Sequence, residues 1–182
     1  LKAVIFGQSG YLPVIEAIIS LAEDSAKDPW EIIAKDDKRI FDFCNSKDID
    51  VIMTSKKCLT GTDRVYEVSK KIKSDIYVNI QGDEPLIDPN SIDKVVKILV
   101  KNKKKGILAS TGYVKILQNT KKHPKGVYLV CNKKNEVLYL SRFPISSNFN
   151  KRINKKKHVG IYAFTKKGLK IFSNLKYKEL EL

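Results

Sequence analysis

Ile76-Tyr77-Val78-Asn79-Ile80-Gln81-Gly82-Asp83-Glu84-Pro85 is an apolar run of strand length that ends abruptly in a polar turn. A run of that length, closed by Gly and Pro, predicts a strand over 76–80 and a turn over 81–85. Such a strand delivers Asp83 to the carboxyl edge of a sheet, just past Gly82, where a ligand can approach the backbone closely. A carboxylate so placed can hold Mg²⁺, which takes one or two protein carboxylates together with substrate phosphate oxygens. The metal then stabilises charge on phosphorus during an in-line displacement. A plain acidic turn, with Pro85 stopping the strand, is the competing reading, and the residues of this stretch alone leave both open.

Working outward, Leu1 to Phe6 reads as a buried strand followed by a turn at Gly7 to Gly10. Helical spacing of Val14, Ile15, Ile18, Ile19 and Leu21 predicts a helix from Pro13 to about Asp24. Trp30 to Ala34 and Asp50 to Met53 are further strands. Between them Ile40, Phe41 and Cys44 share a helix face that Asp36 or Asp37 would cap. A helix is expected from Asp63 to about Ile72, and another from a Ser91 cap to about Asn102, with Ile92, Val95, Val96 and Leu99 inward. Strands are expected at Ile107 to Tyr113, Gly126 to Cys131, Val137 to Leu140 and Val159 to Phe164, with a last helix over Lys167 to Phe172. Strands alternating with helices predict an α/β protein with a mainly parallel sheet, which binds ligands beyond the carboxyl ends of its strands. No linker or repeat divides the 182 residues, so a single domain over 1–182 is expected.

Hydrophobic residues at 42% and charged residues at 30% are a globular balance, and no apolar run reaches the length of a membrane span. The start has no signal-peptide pattern and begins with Leu, so an earlier start codon is expected. Cys44, Cys58 and Cys131 are too few and too widely spaced for a disulfide framework or a paired metal site, which points to reduced thiols in the cytoplasm. The net charge of +15 comes chiefly from Lys, in runs at 103–105, 121–122 and 155–157 expected in loops. Aromatic residues are not interleaved with them, so solvated loops come first, an anionic small-molecule groove second and nucleic acid third.

The segment 78–87 resembles the signature of the 3-deoxy-manno-octulosonate cytidylyltransferases, enzymes acting on the sugar acid KDO. Four more segments resemble that family in the same order. These are Ile32-Ile33-Ala34-Lys35-Asp36-Asp37-Lys38-Arg39-Ile40, Thr60-Gly61-Thr62-Asp63-Arg64, Leu138-Tyr139-Leu140-Ser141-Arg142-Phe143-Pro144-Ile145 and Lys157-His158-Val159-Gly160-Ile161-Tyr162-Ala163-Phe164. The resemblance covers most of 30–170. It implies a Rossmann-like nucleotidyltransferase fold and a reaction in which CTP and KDO give CMP-KDO and pyrophosphate, for lipopolysaccharide precursors. It implies further that Asp83 binds Mg²⁺ and is catalytic with Arg64. Gln81 touches substrate on both the nucleotide and the sugar-acid side, and Thr60, Gly61 and Thr62 lie near the cytosine. Arg64 and Arg142 offer bidentate donors to carboxylate or phosphate. His158 and Tyr162, four apart on one strand, face the sugar-acid pocket with Arg142. Taken singly, Arg64 would pair with a carboxylate such as Asp63 or Glu67, Arg142 would stitch a loop, and His158 would be an exposed strand end. Tyr162 would be a core aromatic, and His123 reads as a loop residue.

The chain also departs from the family. After the first strand the family carries an Arg-, Gly- and Lys-containing triphosphate loop; here Gly7-Gln8-Ser9-Gly10-Tyr11-Leu12-Pro13 leads straight into a helix, about a dozen residues shorter. Gly7, Ser9 and Gly10 remain as an amide nest for phosphate. Cys58 stands where the family has His, and Lys125-Gly126-Val127-Tyr128 where it has an Asn-x-Val-Lys-like run. The chain ends before the family's later metal-binding Asp, so the domain is expected to be incomplete at its C-terminus. Besides the KDO enzyme, three alternatives follow: a cytidylyltransferase for another sugar acid such as an acylneuraminate, a nucleotide- or sugar-binding relative with impaired catalysis, and, from charge alone, a nucleic-acid-binding module. A homodimer is expected as in the family, with 143–149 as a candidate interface.

Overall fold

The computed structural model describes residues 2–6, 31–81, 87–116, 126–143 and 155–175. These residues fall in two compact units, one formed by 1–110 with 161–182 and the other by 111–160. The predicted helix at 13–24, the turn at 7–10, residues 82–85 of the predicted turn over 81–85 and His123 lie outside the described residues, while Gln81 belongs to a strand.

The first unit is built on strands β1 (Lys2–Phe6), β2 (Glu31–Lys35), β3 (Val51–Met53) and β4 (Ile76–Gln81), in the order β3-β2-β1-β4 and all parallel. The expected parallel sheet is therefore present in these four strands. Beyond β4 the pattern changes: residues 161–165 at the end of a later strand run antiparallel to it, Ile80 opposite Ile161 and Ile76 opposite Thr165. The sheet is mixed.

Alternation along β2 shows how the layers form. Ile33 packs with Ile40 and Cys44 of α1 (Lys38–Ser46), on one face. Ala34, the next residue, joins Val65, Val68, Tyr77, Phe164 and Leu169 in a second cluster. Successive strand residues point to opposite faces, so one strand can feed two cores and must be apolar throughout. The second cluster takes Val65 and Val68 from α2 (Gly61–Lys71) and Leu169 from α4 (Lys166–Asn174). Each fully buried aliphatic side chain of this kind contributes roughly 1.5–3 kcal/mol relative to exposure. The start of α4 sits so close to the chain at Leu108 that a Cβ on Gly168 would meet the Leu108 carbonyl oxygen at 2.5 Å. Helix α3 (Pro89–Asn102) buries Val95, Val96 and Leu99 and packs against β4.

Local capping differs from expectation in two places. Asp88, not Ser91, caps α3: its carboxylate accepts from the Asn90 N–H at 3.0 Å, while Ser91 sits in the first turn and donates its hydroxyl to Asp88. Pro89, with no N–H to lose at the first position, moves the start forward. Helix α2 begins at Gly61 with Thr60 as its cap, two residues before the predicted Asp63, because Thr60 and Asp63 form a reciprocal capping box. The third structural departure concerns charge: Lys155 to Lys157 open a strand and Lys103 to Lys105 form a 3₁₀ helix where loops were expected, and 121–122 lie outside the described residues.

In the second unit, β6 (Tyr128–Cys131) is antiparallel both to β7 (Val137–Ser141) and to the first half of β8 (Lys155–Thr165), with Tyr128 opposite Lys157. β5 (Ala109–Ile116) also pairs with β8. The β6–β7 turn is held by the Asn132 side-chain oxygen, which accepts from the Lys134 and Glu136 N–H groups at 2.9 Å, and Asn135 takes a positive φ of 60° that Asn tolerates. Lys156 places its ammonium 4.2 Å from the Tyr113 ring centroid, so part of the basic run is spent on packing within the sheet.

Candidate active site

The described part of the site in the first unit gathers around the start of α2. The Thr60 hydroxyl accepts from the Asp63 N–H at 3.2 Å, and the Asp63 carboxylate accepts from the Thr60 N–H at 2.9 Å and its hydroxyl at 2.8 Å. Thr60, Gly61 and Thr62 are thus the cap and first two residues of a helix, whose first-turn amides and dipole favour negative charge nearby. Thr62 is 8% exposed and accepts a hydrogen bond from the Asn79 side-chain amide at 3.2 Å. That bond ties the helix start to β4, two residues before Gln81. Asn79 Oδ1 is buried with no hydrogen-bond partner among the described residues.

Arg64 is 8% exposed and reaches back to the ends of two neighbouring strands. Its Nη2 pairs with the Asp36 carboxylate at 2.7 Å, and its Nη1 donates to the Thr54 hydroxyl at 3.0 Å and the Ser55 carbonyl at 3.1 Å. Asp36 follows β2 and Thr54 follows β3, so one guanidinium spans two strand ends. The carboxylate held at this distance is Asp36, 28 positions away in the chain, where nearness in sequence suggested Asp63 or Glu67. Lys35, also at the end of β2, is 7% exposed, and burial lowers its pKa against the opposing charge of Asp36.

Glu67, one turn after Arg64, receives the Ser55 N–H at 3.1 Å and the Cys58 thiol at 3.2 Å. Burial raises the carboxyl's pKa, but the Ser55 N–H, the thiol and the charges of Lys71 and Lys70 outweigh it, so the net shift is downward. The thiol moves the other way: burial, then the bond to Glu67 and its charge, push Cys58 up to about 11. This keeps the proton on sulfur at neutral pH and slows any reaction of Cys58 as a nucleophile. A cleft of about 300 Å³ opens beside this segment, lined by Ser55, Lys57, Cys58, Tyr66, Glu67 and Lys70 among others.

The other predicted residues are distributed as follows. Gln81 ends β4, half-buried and in register with Phe6 at the end of β1. Tyr162 sits opposite Asn79, packs on the second core cluster and stacks on Phe164 with centroids 6.1 Å apart; burial raises its pKa. In the second unit His158 lies inside β8, with Nε2 2.8 Å from the Thr111 hydroxyl, and burial lowers its pKa. Arg142 is exposed just after β7. Gly7, Ser9 and Asp83 lie outside the described residues. Among the described residues no group of three or more His, Cys, Asp or Glu stands together as a metal site.

Comparison with known proteins places this arrangement. The family model for cytidylyltransferase matches residues 10–182. A 3-deoxy-manno-octulosonate cytidylyltransferase of Elusimicrobium minutum is 33% identical over all of this chain and 75% of its own length. The chain belongs to the 3-deoxy-manno-octulosonate cytidylyltransferases. A mitochondrial member from Arabidopsis thaliana is 37% identical across 82% of this chain, which spans 53% of that relative. A solved structure of CMP:2-keto-3-deoxy-manno-octonic acid synthetase complexed with CTP matches all of this chain with a TM-score of 0.84 at 29% identity, over 81% of its own chain. As a member of this family the chain is a nucleotidyltransferase with the family's Rossmann-like fold. Nucleotidyltransferases of this kind generally use a divalent metal.

Thr54, Ser55 and Asn79 have no role in the sequence analysis, where Asp36 reads only as a possible helix cap and Glu67 only as a possible partner of Arg64. Two signals point to them afterwards: a polar residue inside the apolar run 76–80, and a carboxylate directly after a strand at the ligand-binding edge of a parallel sheet.

Proposed function

We propose that this chain transfers CMP from CTP to KDO, giving CMP-KDO and pyrophosphate. The observation that carries the proposal is the start of α2, held to β4 through Asn79 and to the ends of β2 and β3 through Arg64. A cytosine needs a rigid set of backbone groups and short hydroxyls, and Thr60, Gly61 and Thr62 offer such a set. In the reaction the anomeric hydroxyl of KDO attacks the α-phosphorus. The new bond joins the sugar oxygen to the α-phosphorus, the bond from that phosphorus to the bridging oxygen breaks with its electron pair leaving on pyrophosphate, and the hydroxyl proton passes to solvent water.

Gly7 and Ser9 take phosphate oxygens, and Gln81 stands between nucleotide and sugar acid. Arg142, His158 and Tyr162 receive the sugar acid, His158 as a neutral ring that its burial favours. Arg64 keeps the cytosine turn in place, since both its terminal nitrogens are engaged by protein groups. Asp83 is the residue that would hold Mg²⁺, which supplies charge neutralisation at phosphate when bound. Gln81, the last residue of β4, is in register with Phe6, the last of β1.

We also read residues 1–182 as one nucleotidyltransferase domain. The cytoplasm is the proposed compartment, in keeping with three free cysteines and with no described helix long and apolar enough to cross a membrane. A homodimer is proposed, with the 79% exposed Phe143 at its interface; sedimentation at monomer mass would rule it out. Pyrophosphate release from CTP and KDO with Mg²⁺ tests the activity, with an acylneuraminate as competing acceptor. A folded sample that releases none refutes the transfer, and faster turnover of the acylneuraminate reassigns the acceptor.

A further inference from the structure

The link from β3 to α2 is gripped from both sides at one residue. The Ser55 N–H donates to Glu67 and the Ser55 carbonyl accepts from Arg64, and these two side chains lie three apart on α2. Residues at that spacing share a helix face. Within the link the Cys58 N–H returns to the Ser55 carbonyl at 3.2 Å and the Lys57 N–H to the Ser55 hydroxyl at 3.1 Å, which makes 55–58 a closed turn. Glu67 holds both ends of that turn, the Ser55 N–H at one and the Cys58 thiol at the other. Thr60, which caps α2, comes two residues later.

We infer that Glu67 is a positioning residue for nucleotide recognition, its carboxylate holding the 55–58 turn so that Thr60, Gly61 and Thr62 keep the shape that receives the cytosine. The inference rests on the cytidylyl-transfer reading for the identity of the nucleotide. An ionised carboxylate is suited to the task because it only accepts, and here two donors of different kinds converge on it. Both donors reach Oε2, and the Ser55 N–H also lies 3.3 Å from Oε1. A glutamine with its carbonyl oxygen in the Oε2 position therefore turns its NH₂ group toward the Ser55 N–H and gives up the negative charge that strengthens both bonds. The Arg64 grip is retained in that variant, so the turn loosens without being released.

Steady-state kinetics of Glu67→Gln with CTP and KDO test this. The KM for CTP should rise roughly threefold to tenfold, with kcat and the KM for KDO unchanged, as when uniform binding is removed. An unchanged KM for CTP, or a fall in kcat with both KM values moving together, overturns the inference. Cys58→Ala, which removes only the thiol donor, should raise the same constant by a smaller factor. If Glu67→Gln does not fold, an unchanged CTP KM in Cys58→Ala overturns the inference by itself. A second readout is independent of turnover: alkylation of Cys58 by iodoacetamide, followed by peptide mass. It should be on the order of tenfold faster in Glu67→Gln, with weaker protection by CTP. If the wild type releases no pyrophosphate, the transfer reading fails, while CTP protection of Cys58 that weakens in Glu67→Gln still supports the positioning role. Equal alkylation and equal protection in both proteins overturn that role even if the enzyme turns over.

Discussion

The start of α2 and the edge strand β7 treat their side chains in opposite ways. Around α2, polar groups are turned inward and matched: Arg64 to Asp36, Thr62 to Asn79, and Glu67 to Ser55 and Cys58. Along β7, apolar groups are turned outward, with Leu138 64% and Tyr139 61% exposed. An inward polar group must be paired because desolvation without a partner is costly, whereas an outward apolar group costs the isolated fold little. The first region is therefore intolerant of local change and suited to holding a ligand in register. The second is tolerant within the fold, and its sequence answers to whatever contacts it.

Replacing Arg64 should break this contrast most severely. Arg64→Leu takes the guanidinium from Asp36 and Thr54 and one of two donors from the Ser55 carbonyl, and a loss of about 3 kcal/mol in unfolding free energy is expected by urea titration. Arg64→Lys should recover only part of it, since a point charge cannot span Asp36, Thr54 and Ser55 together. An unchanged midpoint would show that the guanidinium is not what joins the strand ends. Thr60→Ala removes the cap hydroxyl but leaves Asp63 to accept the backbone N–H of residue 60, so about 1 kcal/mol should be lost, together with weaker CTP binding in a calorimetric titration. Stability lost with no change in CTP binding would separate the cap from the ligand.

His158 sharpens the comparison from the second unit. Burial holds its folded pKa below the unfolded value near 6.5, so the unfolded chain binds the proton first as the pH falls. Stability should then decline as pH drops below about 6.5, and His158→Gln should flatten that part of the profile in thermal melts. A profile of equal slope in both proteins would assign the effect elsewhere. The smallest change is expected for Leu138→Ser, within roughly 0.5 kcal/mol of wild type, because the side chain is already exposed. A larger loss would mean that β7 is covered in solution, and light scattering of the same pair would show by what mass.

Much of this was legible in the residues before any coordinates. The strands at 76–80 and 30–34 and the helix face of Ile40 and Cys44 follow from periodicity and from contacts within a few positions, while the five ordered segments follow from resemblance to a family. Ser91 misled as a cap because Asp88 and Pro89 together make a better start, and Lys155–Lys157 misled because charge was taken as a mark of loops. The proposed site was legible in part through the family resemblance. Thr60, Gly61, Thr62, Gln81 and Arg64 were identified as a set, but the partners that give Arg64 its place were not.

The chain's own pattern decides what depends on neighbours in sequence: alternation that feeds two cores, the Thr60–Asp63 box, and a strand that stops at Gln81. Only the folded molecule decides which distant groups share a charge or a hydrogen bond. Asp36 meets Arg64 and Asn79 meets Thr62 because the parallel register of β4, β1, β2 and β3 brings their ends to one edge, and Ser55 meets Glu67 because α2 folds back over the turn that precedes it. Periodicity can state which face a residue takes, but a pair 28 positions apart is joined by strand order and loop closure, and those are properties of the whole packed sheet.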